Sequence, residues 1–205
     1  MTAPRRRGRL VFVEGIDGAG KSTLVRALRR ALREQGYRVA LHREPVHPAL
    51  GAEAIRRGPQ DPLGSALLFT ADRTLAAPRV ERLLARHDLL LQDRSYFSTL
   101  AYQGARLPFS VQQLLLRAQR AGSRAPDRVL WLKLGTEEAL DRIGGRGGRS
   151  VLERRPSLVR AARAYARMAR STDWRTLDAR LSPAELLARA VAEVHPLLGR
   201  RRRAR

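Results

Sequence analysis

The residues Gly15-Ile16-Asp17-Gly18-Ala19-Gly20-Lys21-Ser22 complete a G-x-x-x-x-G-K-[ST] pattern, and the chemistry they suit is the binding of a nucleoside triphosphate. Glycines let the backbone turn tightly enough to aim N–H groups at phosphate oxygens, and a helix starting there adds the positive end of its dipole. In such a loop Lys21 reaches the β- and γ-phosphates and the Ser22 hydroxyl falls on Mg²⁺. Lys21 and Lys133 are the only lysines in a chain whose other basic residues are all arginine. A compact ammonium where it suits a phosphate pair is therefore not compositional background. A carboxylate for the metal is offered by Asp93, at the end of Leu89-Leu90-Leu91-Gln92, although an aspartate there also suits a helix cap. Arg94, Ser95, Tyr96, Phe97, Ser98, Thr99, Tyr102 and Gln103 follow at once. A cation, hydroxyls, aromatic rings and an amide so grouped suit a nucleobase and a monophosphate, though either ring alone would read as core.

Positioning these residues takes a sheet. Short apolar runs predict strands over 10–14, 38–42, 89–93, 128–134 and 175–178. They alternate with helical patterns over 21–35, 48–57, 62–86, 110–121, 136–143, 156–169 and 183–197, with Pro78 a candidate break in the third. Such alternation predicts βαβ units and one domain over 1–205, an α/β/α sandwich of three layers around a five-stranded parallel sheet. Ligands are then expected at the carboxyl ends of the strands.

Composition narrows the class. There is no cysteine, and the four histidines, His42, His47, His87 and His195, form no metal-ligand spacing. This excludes disulfides and thiol catalysis and leaves Mg²⁺ carried by nucleotide as the expected metal. No apolar run has membrane-spanning length and no secretory signal is evident, so a cytoplasmic protein is expected. The net charge of +22 raises a nucleic-acid partner. The arginines are nevertheless spread along the chain, clustering only at Arg5 to Arg7 and Arg200 to Arg203, with no aromatic-interleaved basic patch. Solvated helix faces and flexible basic tails (1–8 and 199–205) are the expectation, with no specific nucleic-acid binding. The segment Gly144-Gly145-Arg146-Gly147-Gly148-Arg149-Ser150 is too glycine-rich for a helix. With Arg142 it suggests a flexible linker, a disordered loop, or a lid, over about 142–155, that brings arginines to phosphates.

The chain resembles the thymidylate (dTMP) kinases over nearly its whole length. The resemblance rests on four segments in order: Glu14 to Thr23, Arg43-Glu44-Pro45, Leu67 to Arg73, and Asp93-Arg94 through Ala101-Tyr102-Gln103-Gly104. It implies that Gly15, Ile16, Asp17, Gly18, Ala19, Gly20, Lys21, Ser22 and Thr23 bind ATP, with Ser22 and Asp93 holding Mg²⁺. It also implies an acceptor site in which Asp17 takes the sugar 3′-hydroxyl, Phe69 stacks on thymine and Arg73 reads its O4 edge. Arg94 and Arg43 would take the phosphate, Ser98, Thr99 and Gln103 would lie near the acceptor, and Tyr102 would exclude a ribose 2′-hydroxyl. Some members carry an arginine where this chain has Gly18, and others supply that cation from a basic lid. Gly18 together with Arg142, Arg146 and Arg149 resembles the second kind, so that Lys21, Arg94 and these three arginines are the implied catalytic residues.

The sequence departs from the family pattern at Ser150-Val151, at Lys133 and at Val46-His47-Pro48. The expected activity is phosphorylation of dTMP to dTDP by a protein that, like its relatives, forms a homodimer, for which Leu63-Ala66-Leu67-Thr70 offers an apolar helix face. A kinase for another or modified pyrimidine monophosphate is the alternative enzyme. A nucleic-acid-associated NTPase, or a noncatalytic nucleotide-binding regulator, is the alternative of another class.

Overall fold

The computed structural model describes residues 7–144 and 151–198. Five parallel strands, β1 (Arg9–Glu14), β2 (Val39–Arg43), β3 (Leu89–Asp93), β4 (Arg128–Lys133) and β5 (Arg175–Asp178), form one sheet in the order β2-β3-β1-β4-β5. Leu10 to Val13 and Leu89 to Leu91 are almost fully buried, as strands covered by helices on both faces must be. The pairings Val13↔Asp93 and Arg43↔Asp93 bring the carboxyl ends of three strands side by side, at the point where the strand order reverses.

The helices are α1 (Lys21–Glu34), α2 (Pro48–Arg57), α3 (Pro62–Arg86), α4 (Tyr96–Tyr102), α5 (Phe109–Ala121), α6 (Thr136–Gly144), α7 (Arg155–Arg170) and α8 (Pro183–Val194). Helix α1 packs on α8, while α4 packs between α7, α3 and α5. In α8, Ser182 and Glu185 form a reciprocal capping box, with Pro183 in the first turn.

Two elements differ from the sequence expectation. Helix α3 runs unbroken through Pro78. Proline costs one intrahelical hydrogen bond, but Asp72, Arg73 and Ala76 before it and Leu84 after it are all buried. Burial on either side of the ring thus carries the helix past it. The short helix α4 carries no amphipathic period in seven residues. It is nucleated by Ser95, whose hydroxyl accepts the Phe97 N–H at 3.2 Å. Edge-on contacts of Tyr96 and Phe97 with Phe12, at 5.7 and 6.3 Å between centroids, fix it on β1.

Candidate active site

The loop between β1 and α1 is shaped by glycine. Gly15, Gly18 and Gly20 have φ of 146°, 83° and 91°, values that L side chains rarely adopt. Gly20 occupies the N-cap of α1, with no side-chain cap among the described residues, which leaves first-turn N–H groups for an anion. The Lys21 ammonium is buried and donates to the Gly15 and Ile16 carbonyls at 2.9 and 2.8 Å. Its loss of water, aided by the Arg94 charge, lowers its pKa to about 8. At Gly18 a Cβ would stand 2.6 Å from the Ala139 carbonyl oxygen of α6.

Ser22 donates its hydroxyl proton to Asp93 Oδ2 at 2.5 Å. Asp93 is 3% exposed, and its Oδ1 is buried without a hydrogen-bond partner among the described residues. An orphaned carboxylate oxygen costs free energy, and beside a serine hydroxyl it supplies the hard oxygen donors that suit Mg²⁺. No group of three or more His, Asp or Glu among the described residues offers a metal cage. The fit is therefore to a metal that brings phosphate oxygens as its other ligands.

Next to the loop lies a cavity of about 200 Å³. Asp17, Arg43, Phe69, Arg73, Arg94, Ser98, Thr99, Tyr102 and Gln103 all line it, with Glu44, Pro45, Ile55, Ser95, Leu152 and Glu153. Phe69 and Arg73, four residues apart on α3, present one face to it. Arg73 is 6% exposed. Its Nε and Nη2 donate to Glu44 at 2.8 and 2.6 Å, Nη2 also reaches Thr99 Oγ1 at 3.3 Å, and Nη1 donates to the Gln119 amide oxygen. Glu44 accepts a further bond from Gln92 at 2.8 Å. Burial raises the Glu44 pKa even so, because Arg73 only partly offsets the lost water.

At the other end Arg94 donates to Asp17, with its guanidinium 5.8 Å from the Tyr102 ring centroid. Arg94 has φ of 73°, an uncommon conformation for a bulky residue and one that clusters at functional sites. The Tyr102 hydroxyl accepts the Asp17 N–H at 2.9 Å and donates to Asp17 Oδ2 at 3.0 Å. Burial alone would raise the Asp17 pKa, but the charges of Arg94 and Lys21 outweigh it and hold the carboxyl low. Arg43 is exposed and its Nε lies 4.0 Å from Asp93, on the metal side of the cavity.

A buried carboxylate that sequence reasoning passed over supports this end. Glu14 accepts from Ser95 at 2.7 Å, from Ser98 at 2.8 Å and from the Tyr165 hydroxyl at 2.7 Å. It thereby ties β1, α4 and α7 together. An acid closing the apolar run Leu10-Val11-Phe12-Val13 was the available signal. Asp72 is a second such group: it accepts the Val46 and His47 N–H groups at 2.9 and 2.7 Å and so shapes the chain after Pro45. Gln119, far along α5, carried no signal at all.

Of the arginines expected on the lid, only Arg142 is among the described residues. Arg142 is exposed and donates to the Ala179 carbonyl at 2.9 Å, and it does not line the acceptor cavity. Arg146 and Arg149 lie outside the described residues. No helix among the described residues is long and apolar enough to cross a membrane.

A phosphate loop on a parallel sheet, a serine and aspartate pair of the kind that suits a metal, and a cavity reached by the loop's own Asp17 define a nucleotide-binding protein of the phosphoryl-transfer class. Comparison with known proteins narrows the class. The family model described as thymidylate kinase matches residues 13–190. A thymidylate kinase of Prochlorococcus marinus is 38% identical over 84% of this chain and 87% of its own. A probable thymidylate kinase of Saccharolobus solfataricus is 31% identical over 89% and 95%, and a thymidylate kinase of Akkermansia muciniphila is 36% identical over 78% and 79%. The chain belongs to the thymidylate kinase family.

Proposed function

We propose that the protein transfers the γ-phosphoryl group of ATP to a 5′-phosphate oxygen of dTMP, giving dTDP and ADP. The observation that carries the reading is the cavity beside the loop, in which Asp17 belongs both to the phosphate loop and to the acceptor wall. Phe69 stacks on the base. Arg73, with most of its N–H groups already held by Glu44, Gln119 and Thr99, directs a donor at a ring oxygen. Tyr102 abuts the sugar, and Arg94 takes the acceptor phosphate.

The attacking atom is an ionised phosphate oxygen, so no strong base is required, and positioning and charge neutralisation supply most of the rate. The loop N–H groups and Lys21 hold the donor phosphates, and Arg94 neutralises the acceptor's negative charge as the two approach. Ser22 and Asp93 would hold Mg²⁺, which when bound polarises the donor phosphates. Lid arginines, Arg142, Arg146 or Arg149, supply the remaining cation, and closure excludes water as a competing acceptor. An arginine at position 18 would be strained in this chain, because φ there is positive and its Cβ would stand 2.6 Å from the Ala139 carbonyl oxygen.

We also propose a cytoplasmic homodimer that pairs along α3. Leu63, Leu67 and Leu75 form an exposed strip there, being 41%, 53% and 62% exposed, whereas Ala66 faces the core and drops out of the face read from the sequence. A coupled assay of ADP release over a panel of nucleoside monophosphates tests the activity. Release that depends on dTMP is expected. A preference for another pyrimidine monophosphate would make the protein a divergent kinase, and release that ignores monophosphates but rises with DNA or RNA would overturn the kinase reading.

A further inference from the structure

A second cavity, of about 160 Å³, shares Tyr102 and Leu152 with the acceptor cavity. It sits between the 3-10 turn Gly104–Arg106, the turn Val151–Glu153 and the start of α7. Its polar lining is Arg106, Arg154, Arg160 and Ser157, with no carboxylate. Arg106 is fixed by donating to the Gly58 and Pro59 carbonyls, the latter at 2.8 Å. The Arg154 carbonyl accepts the Ser157 and Leu158 N–H groups, but the Arg154 and Arg160 guanidiniums line the cavity with no side-chain hydrogen bond or ion pair among the described residues. The adjacent Arg155 shows the ordinary alternative, donating to Glu137 at 2.9 and 2.7 Å. In a chain with this many arginines most of those near a carboxylate are paired. Three guanidiniums around a concave void with no acid among them make a local excess of positive charge that an oxyanion would neutralise.

We propose that this cavity is a second anion site, which takes a phosphate or diphosphate group, free or at the end of a nucleotide. Tyr102 and Leu152 line both cavities, and the Tyr102 hydroxyl is bonded to Asp17. An anion held by Arg154 and Arg160 therefore lies in a cavity that shares Tyr102 and Leu152 with the acceptor site. Any change it makes in acceptor affinity must be matched by an equal effect of acceptor on anion affinity. This coupling rests on the acceptor reading above; the binding site itself does not.

Calorimetric titration with inorganic pyrophosphate at fixed ionic strength tests the site. The protein carrying Lys21→Ala and Arg94→Ala, which disarms the donor loop and the acceptor end, should keep one saturable site. The further changes Arg154→Gln and Arg160→Gln should weaken that site by about tenfold or more. Native circular dichroism should show that the two glutamines fold, and in the otherwise unchanged protein Arg160→Gln, which lies outside the lid, should leave turnover without pyrophosphate as it was. Repeating the titration with a nucleoside triphosphate separates a free diphosphate from a nucleotide tail as the preferred source. The proposal is overturned if Lys21→Ala with Arg94→Ala removes all saturable binding, or if the two glutamines leave that binding unchanged. The coupling fails separately if pyrophosphate shifts the acceptor KM equally with and without them.

Discussion

Two arginine–carboxylate pairs stand at opposite ends of the acceptor cavity and are built in opposite ways. At the base end Arg73 is almost wholly buried, spends its donors on Glu44, Gln119 and Thr99, and leaves Glu44 short of water. At the phosphate end the Arg94 and Asp17 side chains remain about a fifth exposed, and Tyr102 shares Asp17 with the arginine. A buried pair with satisfied partners holds its geometry and is costly to break from one side. A half-open pair can exchange a carboxylate for an incoming phosphate. On the proposed function the cavity joins a fixed end that would read shape and a labile end that would take charge.

That contrast is most severely tested by removing charge from the phosphate side. Lys21→Ala should lower kcat about 10²-fold to 10³-fold, the range for a lost transition-state donor, while circular dichroism stays native. Near-normal turnover of the purified variant would refute the loop assignment. The same lysine fixes a pH dependence. With a pKa of about 8 in the protein without nucleotide, Lys21 loses its charge as pH rises, so kcat/KM for ATP should fall above that value. Donor phosphates favour the ammonium, and the kcat profile should break at higher pH. A kcat/KM profile flat through pH 9 would contradict this.

Breaking the base end should register as stability as well as recognition. Arg73→Ala leaves Glu44 buried without its cation and should cost about 3 to 5 kcal/mol in denaturant unfolding. Arg73→Ala combined with Glu44→Gln should recover part of that. If the single variant were as stable as the parent, the pair would not be the rigid element described. The smallest effect is expected from Tyr102. Tyr102→Ala should narrow the preference for deoxy- over ribonucleotide acceptors, with donor KM little changed. Unchanged discrimination would place the ring elsewhere than against the sugar.

The five strands and the long helices were legible because each carries its own period or capping chemistry, as in Ser182-Pro183 before α8. Helix α4 was not, because seven residues hold too little period and its position depends on Phe12, far back in the chain. The same division runs through the site. Lys21, Ser22 and Asp93 were readable from local spacing, and Asp17, Phe69 and Tyr102 from the family resemblance. Glu14, Glu44 and Gln119 were missed because their partners, Tyr165 for Glu14 and Arg73 for both Glu44 and Gln119, reach them only through tertiary packing. The lid arginines are conspicuous in sequence; Arg142 donates to the Ala179 carbonyl, and Arg146 and Arg149 lie outside the described residues.

The account stands most directly on what becomes of the phosphoryl group. Phosphorus NMR of a reaction containing the protein, ATP, Mg²⁺ and dTMP should show dTDP and ADP growing together, one for one, as ATP and dTMP decline. Inorganic phosphate appearing in place of dTDP, at a rate indifferent to dTMP, would contradict it.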